Sequence, residues 1–219
     1  MEAGQHQRAK RYYELALLKE PNYWDAWFYA VYFEAMNCRH SEIAAMAEQL
    51  YDCQAMVLKL VRDYITEPKA ERDALEELSS RMIEALDHLF YASKSAHYDH
   101  VTRNKIFENA KFVAEGTACR DALYHLGDLL ILICKDAYGD LAAQCWEAAT
   151  RLHGLLHPAL QDKKASERLL NSYGRKIRKY HPHYIAPKLK KGGCYVATAV
   201  YGSYDCPQVW TLRRYRDDK

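Results

Sequence analysis

Little in this chain bends, staples or spans. Nine glycines and six prolines in 219 residues are too few for a sandwich or barrel, whose short strands need a turn signal every ~10 residues. The strongest aliphatic run, LLILIC at 129–134, falls far short of the ~20 apolar residues that cross a bilayer, so no membrane partner is expected. No charged-then-apolar segment at the start reads as a secretory signal. The seven cysteines (38, 53, 119, 134, 145, 194 and 206) are odd in number and widely spaced. They fit reduced thiols in a cytoplasmic protein better than a disulfide framework.

What the chain has in plenty is Ala, Leu, Glu, Lys and Arg, the composition of long helices. The expected fold class is all-α: an irregular helical bundle with a repeat-like N-terminal hairpin and a small C-terminal module. Net charge is only +2, but it is unevenly placed. Residues 163–219 hold fourteen Lys/Arg against four Asp/Glu, while residues 1–162 hold 17 against 25. Such opposed halves suit a tail that folds back on an acidic body, or a surface that binds a polyanion.

Residues 5–19 and 22–36 read as a helical hairpin, with Ala9, Tyr12, Tyr13, Ala16 and Leu17 at helical spacing before the Pro21-Asn22 break, and Trp24, Trp27, Phe28, Val31 and Met36 after it. Ala9, Tyr13, Ala16 and Pro21 fall at offsets 0, 4, 7 and 12, which resembles the second helix of a tetratricopeptide repeat and its closing proline. Trp27 then stands where the next repeat places a tryptophan. The resemblance stops at Val31, where that repeat wants a close-packing glycine, so about one and a half repeat-like helices are expected to pack on a larger body.

That body is expected to follow at 41–158. Ser41 is a suitable N-cap for a helix to about Ile65, with Ile43, Met46, Leu50, Cys53, Val57, Leu60 and Tyr64 on one stripe. Pro68 opens the next helix, which turns Leu75, Leu78, Met82, Ala85 and Leu89 inward and reaches His97 to His100. A third helix spans about 102–135, with a kink expected near Gly116, and a fourth spans 139–156, closed by His157-Pro158. Long helices on short connections describe an antiparallel bundle. A basic helix over about 166–180 and a Pro-, Gly- and Lys-rich linker to residue 192 lead to a module at 193–219.

Three chemistries compete for that module. His181, His183, Cys194 and Cys206 are possible zinc ligands by type, but Cys194 and Cys206 have eleven residues between them and lack the tight paired spacing of a structural zinc site. No metal and no cofactor is expected. Cys194 follows two glycines and the lysines at 188, 190 and 191, surroundings that lower a thiol pKa. With His181 or His183 as base, it would be a nucleophile. The basic tail, interleaved with tyrosines at 173, 180, 184, 195, 201, 204 and 215 and with Trp210, also suits stacking on single-stranded nucleic acid.

Residues 194–217, CYVATAVYGSYDCPQVWTLRRYRD, carry a second resemblance. Cys194, Tyr195, Ala197–Ala199, Tyr201, Gly202, Ser203, Pro207, Leu212, Arg213, Tyr215, Arg216 and Asp217 match the CFI-box, a C-terminal module of bacterial proteins. With the hairpin, the chain resembles a family of bacterial cytoplasmic proteins named for an N-terminal zinc ribbon, then helical repeats and this box. No cysteine pair precedes Gln5, so no ribbon role transfers, and members typically continue beyond the Arg-Asp helix. The resemblance implies no activity. The expected function is non-catalytic binding of another protein or peptide, through Tyr13, Trp24 and Trp27 on the hairpin and Cys194, Tyr201, Trp210, Arg213 and Arg216 in the module. Cysteine-dependent catalysis, nucleic-acid binding and self-association remain open alternatives.

Overall fold

The computed structural model describes residues 3–99, 105–134 and 136–189. Among them the chain forms seven α-helices and two short 3-10 turns and no strand, so the protein is an all-α helical bundle. The helices are α1 (Ala3–Lys19), α2 (Trp24–Ala35), α3 (Ile43–Tyr64), α4 (Pro68–Asp99), α5 (Lys105–Cys134), α6 (Gly139–Leu156) and α7 (Lys163–Tyr180).

The breaks lie where proline and local polar groups dictate. Pro68 starts α4, because a residue without an N–H loses nothing in a first turn, and the Glu67 carboxylate accepts from the backbone N–H of Ala70 at 2.6 Å. Asp162 caps α7 in the same way, accepting from the N–H of Ala165 at 2.9 Å. Ser41 does not cap α3. It lies in a turn closed by the Glu42 N–H on the Arg39 carbonyl; Glu42 holds the N-cap position, but its carboxylate accepts from the Arg39 N–H at 2.8 Å and leaves the first turn of α3 without a side-chain cap.

α5 has no single polar face, its polar residues being spread around the helix, and it sits at the centre, packed against α3, α4 and α6, as a helix without a polar face must. The core is continuous through Phe28, Leu50, Leu58, Leu75, Leu86, Phe90, Leu123, Leu126 and Leu152. α5 runs unbroken through Gly116, and the glycine lets neighbours close in, since a Cβ there would stand 3.0 Å from Leu156 Cδ1 and 3.1 Å from Phe90 Cε2. All five residues expected to line the inner face of α4 are fully buried.

α3 departs from its expected stripe. Its buried face runs Ile43, Met46, Leu50, Cys53, Val57 and then Leu58 and Val61, while Tyr64 is exposed. A strict seven-residue repeat drifts around a straight 3.6-residue helix by ~20° per heptad, so after two heptads the core-facing position has moved to the next residue. α1 and α7 close the two flanks, α1 on α2 and α7 on α6. Among the described residues no helix is long and apolar enough to cross a membrane.

Candidate functional site

α1 is an edge helix, and this decides its surface. Ala9, Tyr13, Ala16 and Leu17 turn toward α2, where Tyr13 stacks between Tyr29 and Phe33, with centroids 5.2 and 6.0 Å away. Tyr12, expected to face inward, is 71% exposed, and Leu15 and Leu18 beside it are 55% and 81% exposed. Next to these runs an open groove of about 520 Å³ between α1 and the start of α2, lined in part by Tyr12, Tyr13, Leu15, Lys19, Tyr23 and Asp25. Burial pushes the Asp25 carboxyl up, and its Oδ1 accepts from the Ala26 N–H at 2.8 Å.

Of the hairpin residues expected to bind, Tyr13 lines this groove. Trp24 packs partly buried against the core, and the indole N–H of Trp27 donates to the Pro21 carbonyl at 2.8 Å; neither lines the groove. Cys194, Tyr201, Trp210, Arg213 and Arg216 lie outside the described residues, as does the CFI-box resemblance.

His181 and His183 sit just beyond α7. The His181 Nδ1 is 2.7 Å from Glu147 Oε1 on α6, while His183 is exposed. The chain after α7 lies along α6: the Tyr184 hydroxyl donates to Thr150 Oγ1 at 2.7 Å, and Pro187 stands over Gly154. Tyr173 stacks on Tyr124 at 3.8 Å and donates to Asp128, and Tyr180 donates to Asp136. These tyrosines are therefore engaged with the body and do not stand free as stacking platforms.

A buried polar chain that the sequence did not announce joins α5, α6 and α7. Tyr124 Oη lies 3.0 Å from His153 Nδ1, and Ser166 Oγ lies 2.7 Å from both His153 Nε2 and His157 Nδ1. A neutral proton arrangement satisfies every member: Tyr124 donates to His153 Nδ1, His153 Nε2–H donates to Ser166, and Ser166 donates to His157 Nδ1. Burial, with Arg120 and His157 nearby, holds the His153 pKa down to about 3, and burial lowers that of His157. Because Ser166 and both rings are buried, this cluster fastens α7 to α6. The available signal was a pair of histidines four residues apart, His153 on the apolar face of α6 and His157 at its C-cap.

The five described cysteines are free thiols. Burial pushes Cys53 and Cys145 up to about 12 and Cys134 to about 11, and raises Cys119 as well, which keeps them protonated and poor nucleophiles. Among the described residues no three His, Cys, Asp or Glu side chains are grouped to hold a metal ion. Compared with protein-family models, curated proteins and solved structures, the chain matches none.

Proposed function

We propose that the protein is a non-catalytic binding module that takes a peptide segment of another protein into the groove between α1 and α2. The observation that carries this reading is the edge of the hairpin, where Tyr12, Leu15 and Tyr23 are all exposed and line an open groove. A single exposed leucine needs no explanation, but three large apolar side chains around one groove form a surface that water solvates poorly. Tyrosines suit such a surface because they bury much area with few rotatable bonds and keep a hydroxyl for a peptide backbone. Glu20 and Asp25 at the groove favour a peptide that also carries a basic group.

The test is selection of ligands from a displayed random-peptide library, followed by calorimetric titration of the best sequences. Tyr12→Ala with Leu15→Ala is expected to weaken selected peptides at least tenfold, with an unchanged helical spectrum. Peptides that bind wild type and the double variant equally would sink the groove assignment.

A further inference from the structure

The outward face of α7 offers a surface of different character. Ser166, Leu170, Gly174 and Ile177 form its buried side. At 100° per residue, Lys164, Arg168, Arg175 and Arg178 fall within about 40° of one line on the opposite side, over about 21 Å of helix, and all four are exposed. The other basic residues of α7 are engaged with the body, two of them by ion pairs. Lys176 pairs with Asp128 at 2.8 Å, Lys179 pairs with Asp136 at 2.9 Å, and Lys163 donates to the carbonyl of Pro158 at 2.8 Å. Among the described residues, none of the four outward cations has a carboxylate ion-pair partner. The Arg168 Nε bonds only to the Lys164 carbonyl, and Arg178 lies 5.9 Å from the centre of the Tyr184 ring. Like charges at Lys164/Arg168 and Arg175/Arg178 repel at helical spacing, and Glu167, exposed beside Lys164, is the one carboxylate carried by α7 itself.

We infer that this stripe binds the phosphodiester backbone of a duplex nucleic acid. A duplex carries one charge per ~1.7 Å of axis, so a straight row of four cations finds phosphates without needing a matched register. Guanidinium forks suit phosphate oxygens, and contacts of this kind position a protein without reading sequence. A single strand is disfavoured because the tyrosines of α7 face the body, leaving the stripe without a stacking platform. A membrane surface is disfavoured because the apolar side of α7 lies in the core and is not free to enter lipid. This inference does not depend on the peptide groove, which lies on the other flank.

The experiment is fluorescence anisotropy of a labelled 20-base-pair duplex of arbitrary sequence, titrated with the full chain between 50 and 200 mM salt. Matched single strands and phosphatidylserine-containing vesicles run alongside. Four phosphate contacts predict a log–log salt slope of about −3.6, or an affinity loss of about 150-fold across that range. R168E/R175E is expected to weaken binding at least tenfold, and R168Q/R175Q is expected to reduce the slope by about 1.8. Circular dichroism checks that both variants fold. No duplex binding at 50 mM salt, wild-type affinity in R168E/R175E, or tighter binding to the single strand or the vesicles would overturn the inference.

Discussion

Ser166 takes part in hydrogen bonds to two histidine rings, and that arrangement makes the α6–α7 contact sensitive to acid. In the folded chain His153 titrates near 3, whereas a histidine in an unfolded chain titrates near 6.5. Between those values the unfolded state takes up a proton that the folded state refuses. Stability from this site is therefore whole above about pH 6.5 and drains away as pH falls toward 3. At pH 5 the loss is on the order of 2 kcal/mol, or roughly 4–8 °C in the melting midpoint of a chain this size. Lowered His157 pushes in the same direction. Melting curves from pH 7 to pH 5 should fall steeply for wild type and much less for H153Q/H157Q. Equal slopes would show that the two rings are solvated and not buried neutral. None of this was legible in the sequence, because a residue's type shows that it can hydrogen-bond and leaves the partner to tertiary structure. His153, Ser166, Gln54 and Glu115 are polar residues in a core that patterning alone would fill with apolar ones.

Helix packing depends on glycine at one close crossing. Gly127 of α5 lies under the Trp146 indole, and an added Cβ would also stand 2.9 Å from the backbone carbonyl oxygen of Ala142. Alanine would gain up to ~1 kcal/mol of helix propensity, but the backbone of α6 has no rotamer to give, and overpacking costs ~1–3 kcal/mol. Gly127→Ala is therefore expected to lower the melting midpoint despite being the better helix former, and a higher midpoint would show that α6 yields freely. Breaks and long faces were the legible part at this scale. Pro68 opens α4, His157-Pro158 follows α6, and Leu75 through Leu89 are buried as their spacing predicts. Features that depend on neighbours were not legible. Tyr12 faces out because α1 has α2 on one side only, and Gly116 lets Leu156 and Phe90 approach α5 closely.

Charge organises the whole molecule more than net charge suggests. The acidic body and basic α7 meet through Asp128, whose carboxylate accepts from Trp146 Nε1 at 3.1 Å, the Tyr173 hydroxyl at 2.8 Å and Lys176 Nζ at 2.8 Å, tying α5, α6 and α7 at one point. The opposed charges of the two halves pointed to docking of this kind, and for α7 they describe what is found. The groove between α1 and α2 was half legible: Tyr13 belongs to it, whereas the tryptophans that drew attention serve the core and the turn at Pro21. Because α7 touches the bundle mainly through α6, it is expected to open as a unit when this hub is removed. Asp128→Ala loses a charged acceptor for three donors at a partly solvated site, a cost of about 1–2 kcal/mol, or a factor of about 5–30 in an opening equilibrium. Lys176→Met removes an exposed ion pair and the ammonium's contacts with the Trp146 and Tyr173 rings but keeps the apolar stem over them, and should change little. Amide hydrogen exchange is therefore expected to quicken about 5–30-fold across residues 163–180 in Asp128→Ala, with α3 and α4 unchanged and Lys176→Met close to wild type. Uniform acceleration in every helix would mean that α7 opens only with the whole bundle, and that the hub supports the entire fold.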